Sequence, residues 1–261
     1  MARDFTRNTA NYMDLGINAI GPLLNGASAI SIHCWVYFDS YAEAGDANDN
    51  RLITLLNSTG GSVMLAIDDT GANNVVRLGG RSVSTDGFQA ASGTTGVTTG
   101  AWHSIGGVWN IGGDSLRGYL DGSQDFSTAV TFGNATYTDS AHASIEDAIG
   151  GFNIPPASAN DQVDGRIAEL AVWTVDIATV GFQQLNDGFS SLFVRPDSLV
   201  AYWPLIGNYS PETDIISAKN GTITGTIAKD VHPRIIYPTS FQDRRFTAGT
   251  TTSTSTSTTT S

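Results

Sequence analysis

The stretch "TGAWHSIGGVWNIGGDSLRGYLDG", residues 99–122, predicts two neighbouring β-strands separated by a glycine-rich turn. The strands are expected at 102–109 and 116–122, and Asp121-Gly122 is a pair typical of hairpin turns. Trp102, Trp109 and Tyr119 are large apolar side chains with a polar tip, which suits the rims of a curved sheet. The stretch therefore indicates sheet architecture rather than catalysis.

The same alternation of apolar and polar residues recurs along the chain. In "ISIHCWVYF", residues 30–38, one face carries Ile30, Ile32, Cys34, Val36 and Phe38, and the other carries Ser31, His33, Trp35 and Tyr37. Further strands are predicted at 51–57, 62–68, 74–80, 165–173 and 199–205. Many short strands at such spacing are typical of a sandwich, a barrel or a jelly roll.

One segment departs from strand periodicity. Residues 176–187 have apolar side chains at helical spacing, which predicts one short helix. Asp176 is expected to cap its start, and Gly188 is expected to end it in a left-handed conformation.

Composition limits the class of protein. The chain has 261 residues, 40% of them hydrophobic, which is enough for one large β-sandwich or two small domains. A formal net charge of −12 argues against nucleic-acid binding, and it leaves a solvated exterior or cation binding as alternatives. Cys34 is the only cysteine, so no intrachain disulfide can form. Neither a signal peptide nor a membrane-spanning segment is predicted, and we expect folding in a reducing bacterial cytoplasm.

The sequence contains no complete motif for metal binding or catalysis. "GDANDN" at 45–50 opens like a calcium loop, but an EF-hand requires Gly and Glu where Arg51 and Asn57 stand. We therefore expect no cofactor, with an irregular calcium site using Asp46 or Asp49 as the alternative. No histidine has a metal-ligand partner at the required spacing, and no nucleophile elbow, phosphate loop or glycosidase pair of carboxylates is found. The protein is predicted not to be an enzyme.

Three segments resemble the laminin-G-like, or concanavalin-A-like, jelly-roll family. Its central hairpin is matched by Trp102, His103, Ile105, Trp109, Tyr119, Leu120, Asp121 and Gly122. Its first core strand is matched by Ile30, Ile32 and Trp35, and a later strand is matched by Gly165, Ile167, Glu169, Leu170, Val172 and Trp173. The resemblance covers roughly residues 5 to 205 and implies an all-β fold, a two-sheet antiparallel β-sandwich with one short helix. It leaves the function open, because this fold carries lectins, adhesion modules, enzymes and structural proteins.

The closing segment, "RPDSLVAYWPL" followed by "HPRIIYP", resembles laminin-G-like proteins encoded by bacteriophages and their hosts. We predict a sandwich over 1–235 and an extended C-terminal arm over 236–261 that ends in a Thr/Ser-rich tail. The first hypothesis is a virion structural protein, made in the bacterial host cytoplasm, that decorates a phage capsid or tail. Its partners would be other copies of itself and the major capsid or tail protein.

The arm has apolar anchors flanked by charge, as an interface segment needs. The residues expected to contact a partner are Ile235, Ile236, Tyr237, Phe241, Arg244, Arg245 and Phe246. The alternative is that the arm folds back on its own sandwich.

The second hypothesis is a carbohydrate-binding, lectin-like module for host or glycan recognition. Trp35, Tyr37 and Trp109 are the candidate residues for stacking on sugars. Each of them could instead belong to the core, because buried aromatic residues dominate such sandwiches.

Overall fold

A computed structural model of the chain describes residues 2–6, 11–41, 49–55, 57, 59–69, 74–140, 146–151, 161–207 and 210–238. In chain order, these residues form β1 (Ala2–Phe5), β2 (Tyr12–Ile17), α1 (Gly21–Leu24), β3 (Ile30–Ser40), β4 (Asp49–Leu55), β5 (Ser62–Asp68), β6 (Val75–Arg81), β7 (Gln89–Gly96), β8 (Trp102–Asn110), β9 (Ser115–Leu120), β10 (Ser123–Ala129), β11 (Glu146–Ile149), β12 (Asp164–Trp173), α2 (Ala178–Asn186), β13 (Leu199–Trp203), β14 (Thr222–Thr224) and β15 (Ala228–Asp230).

The strands form two antiparallel sheets. The eight-stranded sheet has the order β10-β9-β8-β3-β12-β1-β15, with β13 also paired to β12. The seven-stranded sheet has the order β14-β2-β11-β4-β5-β6-β7. The predicted all-β sandwich of two antiparallel sheets is therefore confirmed.

The main core lies between the two sheets and contains the apolar face predicted for β3. Ile30, Ile32, Cys34, Val36 and Phe38 are all fully buried there. Gly107 of β8 lies where Leu78 of the opposite sheet enters, since a Cβ on this glycine would lie 2.3 Å from the Leu78 side chain. A glycine is thus required at this point of β8 because the two sheets interlock closely.

A second apolar cluster covers part of the outer face of the eight-stranded sheet, the face turned away from the other sheet. Phe182 of α2 stacks on Tyr119 with ring centroids 3.9 Å apart. The predicted helix is confirmed as α2, and Gly188 follows its end at φ +87°. The predicted cap is wrong, because Ile177 occupies the N-cap position and Asp176, one residue earlier, accepts the Ala178 N–H with Oδ1 at 2.8 Å. The four-residue α1 has no counterpart in the sequence prediction. Among the described residues, no helix has the length and apolar character needed to cross a bilayer.

Candidate functional site

Strand register places four side chains of different chemistry in one row across the eight-stranded sheet. Tyr37 of β3 lies opposite Trp102 of β8 on one side and Arg166 of β12 on the other. Arg166 in turn lies opposite Asp4 of β1. Directly opposite residues of neighbouring strands project to the same face. The row lies on the outer face, because Val36, which alternates with Tyr37, is buried in the core.

Five residues line an open cleft at this row, which we call the aromatic cleft: Tyr37, Trp102, Arg166, Asp230 and Val231. Its volume is about 350 Å³. The rings of Tyr37 and Trp102 are half-buried and meet edge to face, with centroids 5.9 Å apart at 64°. The Arg166 guanidinium lies 4.4 Å from the centre of the Tyr37 ring, within the range of a cation–π contact.

Two carboxylates hold the Arg166 guanidinium in place. Its Nε donates to Asp230 Oδ2 at 2.6 Å, and its Nη1 donates to Asp39 Oδ1 at 3.0 Å. Asp230 belongs to β15, which pairs with β1 at the far edge of the sheet. The C-terminal strand therefore supplies one wall of the aromatic cleft.

Carboxylates outnumber the single guanidinium around the cleft. Burial raises the pKa of Asp4; Arg166 lowers it, and the neighbouring charges of Asp39, Asp230 and Asp164 raise it again. The pKa of Asp230 is lowered by the backbone N–H of the next residue and by its hydrogen bond from Arg166. The region is therefore acidic despite its arginine.

Trp35 extends the aromatic surface along β3. It lies two residues before Tyr37, hence on the same face, and is half-buried. Its ring meets His33 edge to face at 6.5 Å. His33 is buried and its Nε2 lies 2.9 Å from Ser104 Oγ. Burial lowers the pKa of His33 to about 3, so this histidine is neutral near pH 7 and belongs to the sheet's packing.

Trp109 is not available for stacking on a sugar, and this part of the sequence prediction is wrong. The side chain is fully buried between the sheets, and its Nε1 donates to the Gly79 carbonyl at 2.8 Å. Of the three candidate stacking residues, Trp35 and Tyr37 lie together on the outer face, and Trp109 points away from them.

The C-terminal segment up to residue 238 folds back onto its own sandwich. The Tyr237 hydroxyl donates to Glu169 Oε1, and His232 Nε2 lies 3.0 Å from the same oxygen. The Ile236 N–H donates to the Gly188 carbonyl at 2.7 Å. For Tyr237 and the Ile236 backbone, the predicted contact with a partner is thus replaced by contacts within the chain, because these groups satisfy buried polar atoms of the sandwich.

The Ile236 side chain is 48% exposed and Ile235 is half-buried. The other predicted arm residues, Phe241, Arg244, Arg245 and Phe246, lie outside the described residues. Partner contact through these side chains stays a prediction.

Glu169 anchors this segment from an unusual backbone position. It lies in an irregularity of β12 between Ala168 and Ala171, where the register to β3 shifts, and its φ is +56°. A side chain at positive φ is strained by roughly 1–3 kcal/mol. Its buried carboxylate also accepts from the Tyr202 hydroxyl, so the hydrogen bonds to Glu169 offset this strain.

The predicted alternative calcium site is only partly within the described residues. Asp46 lies outside them, and Asp49 Oδ1 is 3.4 Å from Arg77 Nη1 in an ion pair. Within the part of the chain that the structure describes, no three His, Cys, Asp or Glu side chains come close enough to hold a metal ion.

Sequence reasoning missed four residues of the site: Trp102 as a ligand-facing side chain, together with Arg166, Asp39 and Asp230. The period of two on β3 predicts that Asp39 shares a face with Tyr37. Arg166 and Asp230 reach the cleft only through strand pairing over long distances in the sequence, for which no local signal exists.

The arrangement is suited to binding a polyhydroxylated ligand. Aromatic rings offer flat apolar faces, and the carboxylates offer hydrogen-bond acceptors at fixed positions beside them. Apolar walls with a few converging polar groups are typical of small-ligand sites.

Comparison with solved structures finds the same fold in proteins of low sequence identity. A provisionally assigned carbohydrate-binding protein from Bacteroides ovatus aligns with a TM-score of 0.63 and 17% identity, over 90% of this chain and 61% of its own length. The chain thus spans about three-fifths of that protein. The CBM40 domain of a Ruminococcus gnavus sialidase, bound to α2,3-sialyllactose, aligns with a TM-score of 0.53 and 11% identity, over 71% of this chain and 98% of its own.

A pentraxin from Limulus polyphemus aligns with a TM-score of 0.51 and 12% identity, over 71% of this chain and 81% of its own. Among curated proteins, none matches this sequence. Residues 8–179, more than half of the chain, match Laminin_G_3, described as the concanavalin A-like lectin/glucanases superfamily. Together with the two-sheet sandwich, this match shows that the chain belongs to the Laminin_G_3 family of concanavalin A-like domains.

Proposed function

We propose that this protein is a carbohydrate-binding module whose ligand occupies the aromatic cleft. The observation that carries the proposal is the half-buried pair Tyr37 and Trp102, set beside fixed carboxylates in an open cleft of about 350 Å³. Family membership and the carbohydrate-binding proteins among the structural relatives support the same function.

In this proposal the apolar C–H face of a sugar ring packs against Trp102, and its hydroxyl groups donate to Asp39 and Asp230. Arg166 holds both carboxylates in place before a ligand arrives. A site built in advance loses little conformational entropy on binding.

We also propose that the protein binds its ligand without cleaving it. Glycoside hydrolysis needs one carboxyl group to donate a proton while the other acts as base or nucleophile. Asp39 and Asp230 are both ion-paired with the same guanidinium. The backbone N–H of Val231 and the hydrogen bond from Arg166 lower the pKa of Asp230, which makes this carboxyl unsuited to act as a general acid.

A location on a virion, next to capsid or tail protein, is a further hypothesis about where this protein acts. It depends on residues 239–261, which lie outside the described residues, and on the exposed Ile236. Glycan binding is compatible with that location, since none of the described arm residues, 236–238, lines the aromatic cleft.

The test is a glycan array probed with the whole protein, followed by titration calorimetry with the best ligand. Trp102→Ala should weaken binding by at least about tenfold, because truncating a central aromatic residue of a binding site typically costs more than 1 kcal/mol.

The matched control is Phe88→Ala. Phe88 is also a partly exposed aromatic residue, 47% accessible, but it packs against Gly79 on the seven-stranded sheet. Its removal should leave the affinity unchanged. The absence of any glycan ligand, or equal affinities for both variants, would contradict the proposal.

A further inference from the structure

The Arg166 guanidinium is the only cationic group that lines the aromatic cleft among the described residues. Arginine recognises a carboxylate best through two parallel N–H donors on one edge of the guanidinium. The edges available for this are Nε with Nη2, and Nη1 with Nη2.

Each of these edges already has a nitrogen committed to the protein. Nε is bonded to Asp230 and Nη1 to Asp39, at 2.6 and 3.0 Å. A ligand carboxylate in a two-pronged contact would share a nitrogen with one of these protein carboxylates and would meet its charge at close range.

The negative charge around Arg166 also disfavours binding of a ligand carboxylate. Asp4, Asp39 and Asp230 all act electrostatically on Arg166, and Asp164 acts on Asp4. Three carboxylates therefore act on the one guanidinium, a fourth acts on Asp4, and the whole chain has a formal net charge of −12. An anionic ligand would be repelled both on approach and in the bound state.

From this geometry we infer that the aromatic cleft selects uncharged glycans and rejects those that carry a carboxylate, such as uronic or sialic acid units. The inference rests on the proposed function and names the ligand class for the same site. Neutral hydroxyl groups can donate to Asp39, whose side chain is 43% exposed, without disturbing its bond to Arg166.

The experiment compares a neutral oligosaccharide with its acidic counterpart, in which one unit carries a carboxylate. Titration with the whole protein at about 20 mM salt should give at least about tenfold weaker binding for the acidic form. The difference should shrink at about 500 mM salt, because screening weakens repulsion between accessible charges.

Asp39→Asn provides the second readout. It removes one charge, frees Arg166 Nη1 from an ionic partner and keeps an amide oxygen as acceptor. The ratio of the affinity for the acidic glycan to the affinity for the neutral glycan should rise severalfold, because the variant loses a repelling charge. Asp197→Asn, at an exposed position that does not line the aromatic cleft, is the control with the same change in net charge.

Equal or tighter binding of the acidic glycan by the unmodified protein would overturn this inference and leave the proposed function standing. The inference would also be overturned, with the proposed function still standing, if Asp39→Asn and Asp197→Asn changed the affinity for the acidic glycan equally. If neither glycan class binds, both the inference and the proposed function fail.

Discussion

Two tryptophans of one strand have opposite roles because of the parity of their spacing. Trp102 and Trp109 are seven residues apart on β8, an odd number, so they point to opposite faces of the sheet. Trp109 enters the core and bonds to Gly79 of the opposite sheet, and Trp102 lines the aromatic cleft. Of the two tryptophans in this strand, Trp109 therefore contributes to the core and Trp102 to the proposed binding site.

Asp147 of β11 gives a prediction at the residue scale. It is buried, its Oδ2 accepts the Ile20 N–H at 2.9 Å, and burial raises its pKa to about 7. In the unfolded chain an aspartate loses its proton near pH 4. Between these values the folded protein holds one more proton than the unfolded chain, so this residue makes the free energy of unfolding fall as pH rises.

Asp147→Asn keeps an acceptor oxygen and stays neutral at every pH. Relative to the unmodified protein, the variant should therefore gain stability between pH 4 and pH 8, by up to about 4 kcal/mol. Urea unfolding across this pH range measures the difference. Parallel stability curves for the two proteins would show that Asp147 ionises in the folded protein as freely as in the unfolded chain.

At the scale of elements, the sequence predicts the longer strands that bury an apolar face and misses short or polar strands, including β2, whose Met13 and Leu15 are buried. β5 is predicted at its observed bounds, 62–68, and β12 within one residue, because their alternating or continuous apolar residues face the core. β7 and β10 are the edge strands of the two sheets and are polar and mostly exposed. They carry few apolar residues, so the periodicity of apolar side chains cannot reveal them.

The C-terminal segment gives a prediction at the element scale. Tyr237→Phe removes a hydroxyl that donates to the buried Glu169 carboxylate. Loss of a donor to a charged acceptor should lower the free energy of unfolding by about 1.5–3 kcal/mol. Thermal and urea unfolding of the full-length protein would measure it.

Tyr41→Phe is the comparison variant, since its hydroxyl donates to the neutral Val97 carbonyl at 2.9 Å and should cost only about 1 kcal/mol. If Tyr237→Phe is as stable as the unmodified protein, the segment is not anchored through Glu169. Attachment of the C-terminal arm to another molecule would then become the better account.

For the whole molecule, period-two patterns and family motifs predict a two-sheet sandwich, and they place Trp35 and Tyr37 together on one face. The aromatic cleft itself depends on how strands from four parts of the chain align. Trp102, Tyr37, Arg166 and Asp4 meet only because β8, β3, β12 and β1 are neighbours in a particular register. Register follows from packing of the whole sandwich, and no single segment of the sequence determines it.

The central claim is that glycans bind at the aromatic cleft on the outer face, and the five tryptophans of the chain provide a direct test. Trp109, Trp173 and Trp203 are fully buried, and each donates its indole N–H to a backbone carbonyl. Trp35 and Trp102 are half-buried on the outer face. Five indole N–H signals in one two-dimensional NMR spectrum therefore report on core and cleft at once.

The measurement is the shift of these five signals as the best neutral oligosaccharide from the array is added. The account predicts that the Trp102 signal moves most, with a smaller shift for Trp35, and that the three buried indoles stay in place. Saturable binding without a shift at Trp102, or with the largest shifts at the buried indoles, would contradict the claim that the aromatic cleft is the binding site.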